Sequence, residues 1–442
     1  MSERIRSIQG SITAPEGFRA AGVFCGIKQI GTGKGSDKGA KRDLMLIASD
    51  CPATVAGMFT TNQVCAAPVK VSLQHAGKAK ARAIVSNSGN ANACTGKQGM
   101  QDALAMVRIA GEALGLSVED VLVCSTGRIG LPMPMDRVEN GIRDAAGMLL
   151  HSREAGGHAA EAIMTSDSVS KEVAVRFRLG GRPVTIGGIA KGAGMIEPGM
   201  SPTGARPASR PRHATMLAFI TSDAAIGSRA LKRALREAVS VTFNRITIDG
   251  DMSTNDTVLA LANGRAGNPP IRSIDDADGQ LFQRALRQVC RTLARKIVSD
   301  GEGVTRVVNI RVSGAASHLD ADRAARWVGN SVLVKTSWFG GDPNWGRIVD
   351  ALGYSPARIV EDRIDLGYSA PHSKDITWSL RRGLPTPVDF ETLCACVAPA
   401  EFDLHIRLNL GRGRATVWAC DLSEEYVDFN KGDISNPDAL GG

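Results

Sequence analysis

The sequence predicts an α+β fold, a layered sandwich of mixed and antiparallel sheets flanked by helices, and three patterns carry that expectation. Glu172 to Leu179 alternates, with Val173, Val175, Phe177 and Leu179 on one face and Ala174, Arg176 and Arg178 on the other, as a half-buried strand does. Phe282, Leu286, Val289, Leu293 and Ile297 recur at helical spacing. Hairpins and amphipathic helices mixed in this way argue for sandwich layers rather than a repeating βαβ array.

Taken along the chain, Leu104, Val107, Ala110 and Leu114 mark a first amphipathic helix. Gly180 and Gly181 permit a tight turn from the alternating strand into Pro183 to Ile186. Met216 to Ile220 is a short apolar run fit for a buried strand. The long helix through Phe282 delivers the chain to Asp300-Gly301-Glu302, where carboxylates are disfavoured by the helix dipole and so imply a facing cation. A second hairpin is expected from Leu404 to Leu410, a Gly411-Arg412-Gly413 turn, and Ala415 to Asp421.

Composition narrows the function classes. With 442 residues, 43% of them hydrophobic, the chain has the apolar content for a large core, and its longest apolar runs fall well short of the roughly 18 residues a membrane span needs. The first residues, MSERIRSIQG, lack the apolar stretch of a signal peptide, so a cytoplasmic protein is expected. Its 9 cysteines are scattered, an odd number that fits reduced thiols, and without C-x-x-C or H-x-x-x-H spacing no metal is expected. The net charge of +8 comes with only 5 Trp, 3 Tyr and 11 Phe, which argues against stacking platforms for nucleic acid and towards small acidic substrates. The glycine-rich stretch Gly31 to Arg42 fails the phosphate-loop frame, because Gly31-Thr32 stands where Gly-Lys is required.

The chemistry centres on Thr215, which follows the small residue Ala214 and heads the apolar run. A threonine hydroxyl is a weak nucleophile that needs a base, and an N-terminal α-amine, with a pKa of roughly 7.7–8.0, serves near neutrality. Cleavage between Ala214 and Thr215 would create that amine. Cys94, Cys124 and Ser125 are weaker nucleophile candidates, since none has a histidine in its local sequence.

Long motifs set this threonine in context: GFRAAGVFCGIK (Gly17 to Lys28), GMFTTNQVCAAPV (Gly57 to Val69), AIVSNSGNANACTGKQG (Ala83 to Gly99) and CSTGRIGLPMP (Cys124 to Pro134). Further on come AIMTSD (Ala162 to Asp167), KGAGMIEPGM from Lys191, DGDMSTNDTVLALANG (Asp249 to Gly264), DGEGVTR (Asp300 to Arg306) and KTSWFGGDPNWGRI (Lys335 to Ile348). Over nearly its whole length the chain resembles the ornithine acetyltransferase / glutamate N-acetyltransferase family of arginine biosynthesis, whose precursors cleave before a catalytic threonine.

The resemblance implies a DmpA/ornithine-acetyltransferase-like sandwich of two interwoven chains, residues 1–214 and 215–442, and paired heterodimers of these pieces. It implies Thr215 as nucleophile and base, Thr126 and Gly127 as the oxyanion pair, and Thr165, Lys191, Glu302, Asn430 and Ser435 as substrate contacts. The implied reaction moves an acetyl group from N2-acetylornithine to glutamate without a bound cofactor, and a bifunctional form would also take acetyl-coenzyme A as substrate. The alternatives are an altered acyl or amine specificity, and an N-terminal-nucleophile amidohydrolase or aminopeptidase on the same architecture. A non-catalytic binding protein is the third reading.

Five departures from the family pattern stand out. Ser201 to His213 (SPTGARPASRPRH) is an insertion before the cleavage site, whose Pro, Gly, Ser and Arg content reads as a surface loop. Arg128, Met252 and Trp338 replace the usual residues of three motifs, which suggests changes near the pocket. A short extension follows Ser435.

Overall fold

Two sheets organise the computed structural model, which describes residues 5–28, 41–205 and 216–431. The first is nine-stranded: β1 (Arg6–Ile8), β2 (Phe18–Val23), β3 (Leu44–Phe59), β4 (Lys80–Asn90), β5 (Val121–Arg128), β6 (Lys171–Leu179), β7 (Arg182–Lys191), β8 (Leu217–Ser222) and β9 (Thr257–Ala262). Its order is β1-β6-β7-β8-β9-β3-β4-β5, with β2 paired to the first part of β3. β8 and β9 run parallel, as do β4 and β5, and the other neighbours are antiparallel, so the sheet is mixed.

Both faces of the central strands are buried, which is why β8 reads as a continuous apolar run rather than an alternating one. Ala218 and Ile220 point to one face and pack with α5 (residues Ser228–Ser240) and α6 (Ala277–Ser299), whereas Leu217 and Phe219 point to the other. There they meet α1 (Ala67–Gly77) and α4 (Arg153–Ala162), while α2 (Gly96–Leu114) packs on β4 and β5 and α3 (Met135–Gly147) on β2 and β3. In α6 the expected stripe from Phe282 to Ile297 is buried throughout, and the Asp276 side chain caps the helix by accepting from the Gly279 N–H at 2.7 Å. In α2 the stripe is turned: Ala103, Met106, Val107 and Ala110 face the core, and Leu104 is exposed. Small alanines let that helix sit close, so its buried face is one position away from the one the large side chains mark.

The second sheet is built from β10 (Val307–Ala315), β11 (Asp365–Ser369), β12 (Thr377–Arg381), β13 (Leu384–Pro385), β14 (Glu401–Arg407) and β15 (Gly413–Cys420), in the order β13-β12-β11-β14-β10-β15. It packs against α7 (His318–Asn330), α8 (Val332–Phe339), α9 (Trp345–Gly353) and α10 (Phe390–Val397). A last short helix, α11 (Glu424–Phe429), follows. The expected hairpin between β14 and β15 does not form, because β10 lies between them, parallel to β14 and antiparallel to β15. The connecting residues arch over the end of β10: Leu408 N–H donates to the Ser313 carbonyl and Leu410 N–H to that of Gly314, at 2.9 and 2.7 Å.

Trp338 belongs to this second core and not to a pocket. It is 1% exposed and meets Phe402 edge-on, ring centres 6.5 Å apart, so its size fills the interior beneath α8. The two layers are stitched by Arg326 of α7, which is buried and donates to Glu197 at 2.6 Å and to the Asn244 carbonyl. No described helix is long and apolar enough to cross a membrane.

Candidate active site

Strand register gathers the candidate residues at one end of the first sheet. Lys191, the last residue of β7, stands opposite Leu217, Leu217 opposite Thr257, and Thr257 opposite Phe59, a single row across four strands. Thr126 and Gly127 close β5 nearby. The buried Lys191 reaches across and donates from Nζ to Thr126 Oγ1 at 3.3 Å. Gly127 has φ +129, and a Cβ there would fall 2.3 Å from the Gly89 carbonyl carbon, so only glycine fits this turn of the backbone against β4.

The loop after β7 collects the rest. Asp167 Oδ1 accepts from the Gly192 N–H at 2.7 Å and from Lys171 Nζ at 2.6 Å, while its Oδ2 accepts from the Thr165 N–H at 2.9 Å. Glu302 N–H donates to the Ala193 carbonyl at 2.9 Å, and Asn430 Nδ2 donates to Glu302 Oε2 at 2.9 Å. A Cβ on Gly194 would meet the Glu302 carboxylate at 2.7 Å, so that glycine makes room for the acid. Thr126, Thr165, Lys191, Glu302 and Asn430, far apart in sequence, are thereby joined around residues 191–194.

Charge is tightly balanced in this region. Burial lowers the Lys191 pKa, and Lys171 adds to that, while Asp167, Glu302 and Asp256 oppose it. Burial would raise Asp167, but Lys171, Lys191 and the Gly192 N–H outweigh it and hold the carboxyl well below its usual range. The cation implied by the acids after α6 is present for Asp300: Lys171 Nζ lies 2.5 Å from its Oδ2. Lys171 is thus shared by Asp167 and Asp300, with its side chain fully buried.

Two functional candidates went unread in the sequence. Asn255 Nδ2 donates to the carbonyls of Ala91 and Ser125, at 2.6 and 2.9 Å, and so pins the start of β9 to the strand that ends in Thr126. Asp256 Oδ1 accepts the Met216 N–H at 2.5 Å, and the Met216 carbonyl accepts from Thr257 N–H at 3.0 Å. The available signal was a pair of adjacent polar side chains set directly before a wholly apolar strand. Met252, in the same motif, is half-buried and its carbonyl accepts from Asn62 Nδ2 at 3.1 Å.

The rival nucleophiles fare poorly here. Burial pushes the Cys124 thiol far up, away from the thiolate that would react. Ser125 Oγ is buried with no hydrogen-bond partner among the described residues, so none of them serves it as a base. Cys94 is exposed. Ala214, Thr215 and Ser435 lie outside the described residues, as does the insertion from residue 206 onwards.

Comparison with known proteins follows the same motifs. The model of the ArgJ family matches residues 19–432. The chain belongs to the ArgJ family. An ArgJ relative from Symbiobacterium thermophilum, an arginine biosynthesis bifunctional protein, is 47% identical over 96% of this chain and 98% of its own length. An ArgJ protein of the same description from Geobacter sulfurreducens is 44% identical over 94% and 98%. Among solved structures, a chain of ornithine acetyltransferase from Mycobacterium tuberculosis, complexed with ornithine, is 39% identical over 45% of this chain and all of its own, with a TM-score of 0.41.

Proposed function

We propose that this chain is a self-processing acetyltransferase that moves an acetyl group from N2-acetylornithine to L-glutamate through an acetyl-Thr215 intermediate. Membership of the ArgJ family makes it an enzyme of arginine biosynthesis. The description of its relatives as bifunctional supports a second donor, acetyl-coenzyme A, at the same threonine. No bound cofactor takes part. The protein works in the cytoplasm as two pieces, residues 1–214 and 215–442, assembled as paired heterodimers.

The observation that carries this reading is the buried contact between Lys191 and Thr126 beside the head of β8, where Met216 follows Thr215 in the chain. A hydroxyl oxygen that accepts from an ammonium keeps its own hydrogen free to donate, and the contact polarises it. Thr126 then faces the oxygen of the acetyl carbonyl together with the Gly127 N–H. Thr215 Oγ attacks the acetyl carbon and its proton passes to the new α-amine. The carbon–nitrogen bond breaks, ornithine takes that proton and leaves, and the glutamate amine completes the reverse steps. In this reading Glu302, which accepts from Asn430, holds the ornithine ammonium, Ser435 contributes from the C-terminal segment, and Thr165 and Lys191 orient the substrate.

The test is incubation with N2-acetylornithine, with and without glutamate, following N-acetylglutamate against free acetate. The expected result is N-acetylglutamate that requires glutamate. Acetate release indifferent to glutamate would instead identify an amidohydrolase, and a stable single chain of full mass with neither product would identify a binding protein.

A further inference from the structure

Asp256 is fully buried, and only half of its carboxyl is used. Oδ1 holds the Met216 N–H, whereas Oδ2 is shielded from solvent and has no hydrogen-bond partner among the described residues. Its backbone is fixed as well, since its carbonyl accepts from the Thr60 N–H at 2.8 Å. Residues 256 and 257 together grip both the N–H and the carbonyl of Met216. Leaving a carboxyl oxygen buried without a donor is unfavourable, so an acid at this position needs a reason beyond holding one amide.

We propose that Asp256 positions the head of β8 for self-cleavage and, through Oδ2, carries the proton that passes from the residue-215 hydroxyl to the departing backbone nitrogen of the same residue. This rests on the reading of Thr215 as the self-cleaving residue. Thr215 is bonded through its carbonyl carbon to the Met216 nitrogen whose hydrogen Oδ1 holds, so chain connectivity alone ties residue 215 to this carboxyl. Burial raises the Asp256 pKa well above its usual range, against the opposing pull of the Met216 N–H and Lys191, which favours the neutral acid. Lys191 of β7 is the charged group that acts on it; β8 presents a backbone N–H.

The step balances as follows. The hydroxyl oxygen bonds to the Ala214 carbonyl carbon and the carbon–nitrogen bond breaks, with the nitrogen taking the proton of Oδ2. The carboxylate left behind accepts the proton that the hydroxyl gives up, so Asp256 ends as it began. Water then hydrolyses the ester, giving the Ala214 carboxylate and the free Thr215 hydroxyl and amine.

Cell-free synthesis of the full chain, with conversion followed by intact mass across a pH series, tests this with Asp256→Asn, Asp256→Glu and Thr215→Ala. Asp256→Asn keeps an acceptor for Met216 but carries no transferable proton. It is expected to slow cleavage about 10²–10⁴-fold and to abolish the decline in wild-type rate at alkaline pH, while Asp256→Glu recovers part of the rate. Asp256→Asn cleaving at the wild-type rate with the wild-type pH profile overturns the proposal. Should that variant not fold, the wild-type profile decides: a rate that falls as the acid ionises supports the role, and a flat or rising one overturns it. Thr215→Ala separates the two readings. If it cleaves normally, the assignment of Thr215 fails; if it stays whole while Asp256→Asn cleaves normally, only the role of Asp256 fails.

Discussion

Lys191 Nζ donates to Thr126 Oγ1 across 3.3 Å, with both side chains buried at the ends of different strands. Neither residue is explained by packing alone. A lysine whose burial lowers its pKa is retained beside a hydroxyl that an apolar residue of similar shape would replace.

Thr126→Val removes that hydroxyl and preserves shape. Turnover is expected to fall about 10²–10³-fold, as for loss of one oxyanion donor, and the melting temperature to drop because the buried Lys191 ammonium loses an acceptor. Steady-state kinetics on cleaved enzyme beside a thermal melt checks both halves of the statement.

Glu302→Gln keeps the hydrogen bond from Asn430 in outline but loses the charge. A hydrogen bond to a charged group contributes about 1.5–3 kcal/mol, so KM for N2-acetylornithine should rise about 10- to 100-fold. A KM unchanged from wild type would remove Glu302 from the ornithine site.

Asp167→Asn removes one of the two carboxylates around a fully buried lysine, leaves Asp300 as its partner, and should cost about 1–3 kcal/mol of stability, measured by urea unfolding. The pH dependence has a definite sign. The folded Asp167 pKa is depressed, so its contribution is complete above the unfolded value of about 3.9 and is lost as pH falls from there towards the folded value. Acid unfolding of the wild type should therefore begin near that unfolded value, and the variant should lack this component.

Asn255→Leu leaves the carbonyls of Ala91 and Ser125 without their shared donor. Each buried unpaired group costs about 1–3 kcal/mol, so the urea midpoint should drop, and self-cleavage should slow because β9 is no longer tied to the strand ending in Thr126. Unaltered stability would show that other groups take over the two carbonyls.

Local patterns were legible and distant ones were not. The β6–β7 hairpin follows from strict alternation and two turn glycines, and α6 from one apolar stripe with an aspartate cap. The pairing of β14 with β15 misled because β10, nearly a hundred residues upstream of β14, enters between them, and proximity in sequence carries no information about such an insertion. Trp338 drew attention as a departure in a motif, yet it fills the second core. In the site, Thr126, Lys191 and Glu302 were visible through long motifs. Asp167, Asn255 and Asp256 act by holding backbone groups of residues far away in the chain, and a backbone partner leaves no mark on composition or spacing.

β8 and β9 form a parallel pair that sits between β7 and β3, so the strands before residue 214 contribute both neighbours and the strands after it fill the gap. Made alone, the first piece would present two bare ladder edges, and the second, although it carries the whole second sheet, would leave β8 and β9 as an unsupported two-stranded ribbon. On the proposed cleavage after residue 214, completion of the sheet comes before scission, and the assembled architecture works as a timer. By the same proposal, wild-type chains caught uncut would be those whose first sheet is still incomplete.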